Sequence, residues 1–368
     1  MKKIIAINTL GLGGAERVIA RLSSHKSLSD VEIVTFKETQ HYDLKKNNTV
    51  LGSFKARLSF FWKLNKADVV QAHLNSAILW SLIFKFLFKN FEVQTVHCFA
   101  YSSFYKRKGL AGKFHKLLFT YLLKGSSLHI FKAEEMLIDY EQTFGWKPKN
   151  YKVIHNPYDI ANIVAASRQE SEVIIDDKSI NVAIVGRLSK SKRPFDVLLI
   201  ADSLPSYNFH FIGDGNLKLD LQKSVKEMGL QNVFFHGSLQ NPFPVIKKCG
   251  FYLSSSESEG FPNALVEALI VGAICVQSDC LTGPKEILNG SSEKVSFNKN
   301  RYFYGPLGLL FETANISAAV SALRYAVDNR NSIVNETNAK IDSFIDTISL
   351  DAIAKKYSQC LQGQKDNV

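Results

Sequence analysis

Two cations and two carboxylates in this chain stand where a strand gives way to a helix, and their spacing is that of a site for a phosphorylated ligand. The run Asn181–Val185 leads into Gly186-Arg187-Leu188-Ser189-Lys190-Ser191-Lys192, which sets Arg187 and Lys192 five residues apart in a loop leaving a strand's carboxyl end. Doubly wound folds bind ligands at that end. Two fixed cations there offset the charge of a diphosphate leaving group when no metal does so; the alternative is an ordinary solvated loop. The second pair lies in Ser254-Ser255-Ser256-Glu257-Ser258-Glu259-Gly260-Phe261-Pro262-Asn263-Ala264-Leu265-Val266-Glu267. Glu259 follows the strand Phe251–Ser254, and Pro262 suits the first turn of a helix. The N–H groups of that helix start are open to a phosphate, and Glu267, further along it, is a natural acceptor for a vicinal diol.

Glycine turns mark other strand ends. Gly11-Leu12-Gly13-Gly14-Ala15-Glu16-Arg17 follows Ile4–Asn8 and opens a helix, but no third glycine falls where a dinucleotide fingerprint requires it. The turn serves either close approach of an anion or strand-to-helix geometry. Gly213-Asp214-Gly215 ends Asn208–Ile212, and Gly237 ends Val233–His236. Both offer backbone to a planar base or are simply turns.

The elements that must position these residues alternate. Strands are predicted at Ile4–Asn8, Val31–Phe36, Asp68–His73, Val93–His97, Leu128–Phe131 and Val153–His155, and again at Asn181–Val185, Asn208–Ile212, Val233–His236, Phe251–Ser254 and Ile274–Gln277. Amphipathic stretches such as Ala15–Ser24, Leu110–Leu123, Asn216–Met228 and Asn263–Val271 lie between them. Such alternation implies right-handed βαβ units and parallel sheets, hence an α/β chain of two Rossmann-like domains facing each other across a cleft. The polar stretch 161–180 separates them. The first domain is expected over 1–165, completed by a C-terminal helix at 347–368, and the second over 166–346.

Composition is that of a globular protein, with 46% hydrophobic and 21% charged residues. Cys98, Cys249, Cys275, Cys280 and Cys360 are scattered without C-x-x-C spacing, which argues against a disulfide framework or a zinc site and for a reducing cytoplasm. Met1-Lys2-Lys3 leads straight into a short strand rather than a secretory h-region. The stretch Ile78 to Phe91 is interrupted by Lys85 and Lys89 and is too short to span a bilayer. The net charge of +11 is unevenly held: residues 1–160 contain 24 Lys and Arg against 12 Asp and Glu. Basic and aromatic residues interleave in Phe60-Phe61-Trp62-Lys63, in Trp80 to Phe91 and in Phe104-Tyr105-Lys106-Arg107-Lys108 through Lys116. That pattern fits an anionic membrane surface, the alternative being a buried helix with solvated lysines.

Taken in order, Gly-Gly-Ala-Glu-Arg at 13–17, Val-Ile-His-Asn-Pro at 153–157, Gly186-Arg187 with Lys192, Gly213-Asp214-Gly215, Gly237, and Glu259 to Glu267 across Gly-Phe-Pro-Asn resemble the retaining, nucleotide-sugar-dependent glycosyltransferases of family 4. The resemblance is collinear over residues 4–325 and implies a GT-B fold, with the donor held mainly by the second domain and the acceptor by the first. It gives Arg187 and Lys192 the donor diphosphate and Glu267 the ribose diol, and it turns Glu259 with Gly260 and Phe261 toward the transferred sugar. It places His97 beside that sugar as a catalytic residue with Glu259, Arg187 and Lys192. Gly13, Gly14, Gly186, Gly237, Pro262, Asn263 and Leu265 complete the implied donor site, and Gly14, Glu16 and Arg17 the acceptor side, the alternative for Glu16 and Arg17 being a salt bridge on the helix. Asn156 matches a family Asn-Gly, with Pro157 in place of the glycine, and is read as structural. The stretch Ser278 to Ile287 also resembles the family's bacterial galactosyl- and N-acetylgalactosaminyl-type members.

The expected activity is therefore transfer of a hexose or N-acetylhexosamine from a nucleotide sugar, most readily UDP-linked. No metal or other cofactor is expected. The expected acceptor is a lipid-linked oligosaccharide or lipopolysaccharide core for surface polysaccharide or capsule, met by a peripheral protein at the inner face of a bacterial cytoplasmic membrane. A nonhydrolysing sugar-nucleotide epimerase shares the fold but needs acid-base groups not found here. A nucleic-acid partner would account for the charge alone, since helix-turn-helix or aromatic-basic signatures are missing.

Overall fold

The computed structural model describes residues 2–11, 13–35, 48–50, 67–88, 91–106 and 108–362. The aromatic-basic run Phe60 to Lys63 and Arg107 lie outside them. The chain divides into two compact units, one formed by residues up to Asp159 together with those from Thr347 onward, the other by Ile160–Asp346.

In the first unit the elements are β1 (Lys3–Ile7), α1 (Gly14–Ser23), β2 (Val31–Thr35), β3 (Asn48–Val50), β4 (Val69–His73), α2 (Asn75–Phe88), β5 (Glu92–His97), α3 (Tyr101–Lys106), α4 (Leu110–Leu123), β6 (Leu128–Phe131), α5 (Glu134–Phe144) and β7 (Tyr151–Val153). The second unit runs through α6 (Ile160–Ala166), β8 (Ile180–Val185), α7 (Pro194–Ser203), β9 (Tyr207–Ile212), α8 (Lys218–Glu227), β10 (Val233–Gly237), α9 (Phe243–Cys249) and β11 (Gly250–Ser254). It continues with α10 (Asn263–Ile270), β12 (Ile274–Ser278), α11 (Pro284–Asn289), β13 (Tyr302–Gly305), β14 (Gly308–Phe311), α12 (Ile316–Asp328) and α13 (Arg330–Ile348), and α14 (Leu350–Leu361) returns to the first unit. The boundary precedes α6, so this helix, placed by the sequence reading at the end of the first domain, belongs to the second.

The central strands β1, β4 and β11 are buried on both faces and largely apolar, as strands of a covered parallel sheet are. The first sheet has the order β3-β2-β1-β4-β5-β6-β7 and the second β10-β9-β8-β11-β12-β14-β13. Among the described strands all pairings are parallel except the hairpin β13–β14. In each sheet the order reverses once, between β1 and β4 in the first and between β8 and β11 in the second. The carboxyl ends at such a reversal form the crevice in which open α/β sheets bind ligands. This Rossmann-like order in both units, with helices on the sheets, is the GT-B architecture.

The core of the first unit joins Ile5, Ile7, Val69 and Ile130 to Ile353, Tyr357 and Leu361 of α14. In the second, Phe209, Phe211, Leu253, Val276 and Leu309 pack against Leu198 of α7 and Leu323 of α12.

Candidate active site

In the second unit the strand reversal brings the two halves of the predicted site together. Lys192 sits in the turn after β8 and Glu259 in the loop after β11. Across 67 residues of sequence the Lys192 Nζ donates to Glu259 Oε1 at 2.5 Å. The Ser256 hydroxyl donates to the same oxygen at 2.6 Å. Glu259 is only 9% exposed and Lys192 31%, so the carboxylate is held from within and the ammonium keeps one side open. The two loops are stitched along their backbones as well. The Glu257 N–H donates to the Ser191 carbonyl, and the Ser255 hydroxyl donates to the carbonyls of Lys192 and Arg193. Arg187, exposed, lines a small cavity of about 20 Å³ together with Lys192, Ser254 and Ser255.

Gly213 explains why the Gly-Asp-Gly turn stands where it does. Its φ is +143°, and a Cβ there would lie 2.0 Å from the Gly186 carbonyl oxygen. The backbone of the turn lies directly on the start of the Arg187 loop, and the Leu188 N–H donates to the Asp214 carbonyl. Asp214 itself turns outward to Lys218. Gly237 closes the next strand end, its carbonyl accepting from the Gly213 N–H.

The stretch after β12 braces the Glu259 loop. The Ser278 hydroxyl donates to the Ser256 carbonyl at 2.7 Å, the Thr282 hydroxyl to the Glu259 carbonyl at 2.8 Å, and the Glu259 N–H to the Leu281 carbonyl at 2.6 Å. Gly283, at φ +92°, would bring a Cβ to 2.5 Å from the Gly260 carbonyl oxygen, so only glycine lets the two loops lie this close. Sequence reasoning singled out this stretch as a family likeness and missed its bracing role. The partners lie some twenty residues apart, beyond any local pattern.

Pro262 is the N-cap of α10 rather than its first helical residue, and Asn263 begins the helix, half-buried. The Phe261, Pro262 and Leu265 side chains, expected at the donor, are in the core. What this turn can present to a ligand is backbone. Glu267 is 1% exposed, inside the second unit.

His97, which the resemblance places beside the transferred sugar, is 1% exposed. Nδ1 pairs with the Tyr101 hydroxyl at 2.8 Å, while Nε2 lies 3.1 Å from Thr95 Oγ1 and 3.2 Å from His129 Nδ1. The ring stacks on Phe131 at 4.6 Å. Burial first, and then the neighbouring His129, hold its pKa well below the usual histidine range. The ring is held neutral within an aromatic cluster.

Glu16 was expected on the acceptor side or in a salt bridge on its helix. It stands at the third position of α1 and bends back over the glycine turn, accepting from the Thr9 hydroxyl, while that hydroxyl accepts from the Gly11 N–H. A Cβ on Gly13 would collide with this carboxylate. Gly14 is exposed at the helix start and Arg17 half-buried one turn on. Asn156 is buried at the β7 exit, next to Pro157, whose carbonyl accepts from Arg21 at 3.0 Å.

The reversal in the first sheet holds a cavity that the sequence reading did not foresee. Its volume is about 380 Å³, and Asn8 after β1, Asn75 after β4, Phe99 after β5, Phe104, Lys108 and His115 are among the residues lining it. The Asn8 side chain accepts from the Ala77 N–H at 3.0 Å, tying the two strand ends together. Both polar atoms of the Asn75 amide are buried without a hydrogen-bond partner. Lys132, at the end of β6, is likewise buried, its ammonium donating to the Tyr357 hydroxyl. Burial pulls its pKa down to about 8. Among the described residues no group of three or more His, Cys, Asp or Glu is arranged to hold a metal, and no helix is long and apolar enough to cross a membrane.

Residues 166–342 match the family described as Glycosyl transferases group 1. An uncharacterized glycosyltransferase of Methanocaldococcus jannaschii is 28% identical over 272 residues, 71% of this chain and 64% of that protein. The N-acetylgalactosamine-N,N'-diacetylbacillosaminyl-diphospho-undecaprenol 4-alpha-N-acetylgalactosaminyltransferase of Campylobacter jejuni is 26% identical over 97% of this chain and 99% of its own length. Among solved structures, Anabaena HepE in complex with UDP and glucose superposes with a TM-score of 0.79 at 16% identity, covering 99% of this chain and all of that one. Residues 166–342 thus carry a Glycosyl transferases group 1 domain, and the chain is a glycosyltransferase enzyme with the GT-B fold of two Rossmann-like domains.

Proposed function

We propose that this enzyme transfers a hexose or N-acetylhexosamine, with retention of anomeric configuration and without a metal, from a UDP-linked sugar to a lipid-linked oligosaccharide or lipopolysaccharide core. The observation that carries the reading is the Lys192–Glu259 pair at the strand reversal of the second sheet, beside Arg187. Two cations at a strand-end crevice suit a diphosphate, and a carboxylate fixed next to them suits the hydroxyls of the sugar that the diphosphate carries. Glu267 serves the ribose diol, and the backbone of Gly260 to Asn263 the phosphate and sugar. In the transfer, the acceptor oxygen bonds to the anomeric carbon on the face from which the diphosphate departs. The carbon–phosphate-oxygen bond breaks, and the hydroxyl proton passes to the leaving diphosphate. No covalent glycosyl-enzyme adduct forms. Arg187 and Lys192 stabilise the charge that develops on the departing oxygens.

The Campylobacter relative, a 4-alpha-N-acetylgalactosaminyltransferase named for a diphospho-undecaprenol-linked saccharide, supports the lipid-linked part of this reading. The UDP in the HepE complex supports the nucleotide. The basic first half supports a peripheral place at the inner face of the cytoplasmic membrane. The test is incubation with a panel of radiolabelled UDP- and GDP-sugars, with and without EDTA, followed through donor hydrolysis and transfer to extracted lipid-linked saccharide. Donor turnover with a UDP-sugar that survives EDTA is expected. Turnover of no nucleotide sugar, or a trapped glycosyl-enzyme adduct by mass spectrometry, overturns the proposal.

A further inference from the structure

Helix α4 carries two apolar stripes, and the described residues of the unit cover only one of them. Gly112, Phe119, Leu122 and Leu123 are buried. On the other side Leu110, Phe114, Leu117 and Tyr121, spaced four, three and four apart, are 83, 73, 71 and 62% exposed. A soluble helix with one core-facing stripe shows polar residues on its outer face, and α4 does the opposite. The last turn of α2 extends the patch: Phe86 and Leu87 are 60% and 59% exposed, and the Phe86 ring meets the Tyr121 ring edge-on at 6.3 Å.

The charge around this surface is mainly positive, Glu92 beside Lys85 at the end of α2 being an exception. Residues 93–133 contain seven Lys and Arg and no Asp or Glu. Lys113 and Lys116 stand on α4 itself, and Lys106 and Lys108 just before it. An apolar stripe edged by lysines matches the layering of an anionic leaflet, where rings and leucines reach the acyl boundary while ammonium groups stay among the phosphates. A second copy of this chain would set like charges against one another.

The cavity at the strand reversal lies against the same helix. His115, next to Phe114, and Lys108 line it, together with the unpartnered Asn75 amide. We propose that the exposed face of α4, with Phe86 and Leu87, docks the first unit into an anionic bilayer. Docking sets the Asn75 cavity at headgroup depth, where it takes the polar head of a lipid-anchored saccharide; this last part rests on the lipid-linked acceptor proposed above.

The test uses the full chain and vesicles of phosphatidylcholine, alone or mixed with phosphatidylglycerol. Phe114→Ser and Leu117→Ser, combined, replace exposed side chains and leave the melting temperature unchanged. Flotation with the mixed vesicles is expected to fall at least ~10-fold in this variant, the loss that withdrawal of two large apolar side chains from the bilayer implies. In Leu117→Trp the indole emission is expected to shift to the blue with mixed vesicles. Unchanged flotation in the double serine variant, no emission shift, or a wild-type dimer that the variant dissolves overturns the proposal. Donor hydrolysis without vesicles reports separately on the transferase reading. Wild-type protein that floats without hydrolysing upholds the docking face, and protein that hydrolyses without floating overturns it.

Discussion

Replacing Lys192 by Met removes the cation from Glu259 while preserving most of the side chain's bulk. The Glu259 carboxylate, 9% exposed, then keeps the Ser256 hydroxyl as a donor but loses its counter-charge. A hydrogen bond to a charged group contributes ~1.5–3 kcal/mol. Because Lys192 itself is 31% exposed, solvent screening holds the loss to about 2 kcal/mol. In a unit the size of residues 160–346 that lowers the melting temperature by ~4–8 °C. Glu259→Gln in the same chain removes the stranded charge, so the double variant is expected to be more stable than the sum of the two single losses predicts, with a coupling of about 1–2 kcal/mol. Activity should not follow stability. Donor turnover is expected to fall by ~10²–10³ in Lys192→Met and to stay low in the double variant, because the diphosphate has lost one of its fixed cations. Calorimetry and radiolabelled donor hydrolysis on the four proteins of the cycle read both quantities. Recovery of turnover together with stability in the double variant would show that the pair is only a brace and would refute the assignment.

Arg187→Ala is expected to lower donor turnover by ~10²–10³ without moving the melting temperature, since the side chain is exposed; full activity in this variant counts against the diphosphate site. The first unit should lose stability in mild acid. Burial keeps His97 well below its usual pKa and His129 at about 3, so the unfolded chain takes up protons first as pH falls below ~6.5. Between pH 7 and 5.5 each of these histidines removes ~1 kcal/mol, and urea titrations across that range should show the midpoint falling; a midpoint independent of pH would mean that the rings are not held neutral. Gly283→Ala is expected to impair donor turnover and to lower the melting temperature, because the added Cβ must push away the Gly260 carbonyl; wild-type behaviour would show that the brace does not set the Glu259 loop.

How much of this was legible depended on whether the signal was local. Buried parallel strands such as Ile180–Val185 and Gly250–Ser254 announce themselves as continuous apolar runs, and their ends placed Arg187, Lys192 and Glu259 at one crevice. The hairpin Tyr302–Gly305 and Gly308–Phe311 escaped, although its turn residues Gly305-Pro306-Leu307-Gly308 are a hairpin signal. The helix Ile160–Ala166 is too short to show a period. A strand-end histidine looks the same in sequence whether open or caged. The cage around His97 is made by Tyr101, His129, Phe131 and Tyr140, from three later elements. The Asn75 cavity likewise needs strand ends that are neighbours only because β4 lies beside β1.

The return of α14 to the first unit also fixes an order of events during synthesis. Ile353, Tyr357 and Leu361 fill the same core as Ile5, Ile7 and Val69, and the Gln94 side chain donates to the Cys360 carbonyl from within the sheet. The ribosome delivers these partners on either side of the second unit. At ~5–20 residues per second, the 266 residues from Gln94 to Cys360 separate that pair by roughly 13–53 s. The second unit, made in one piece, can close while it emerges. The first, although begun earlier, must wait with one side of its central strands uncovered until the final helix leaves the exit tunnel. Newly made protein is thus most exposed to aggregation through its N-terminal sheet, and a nascent chain stalled before Leu350 holds a finished second unit tethered to an unfinished first.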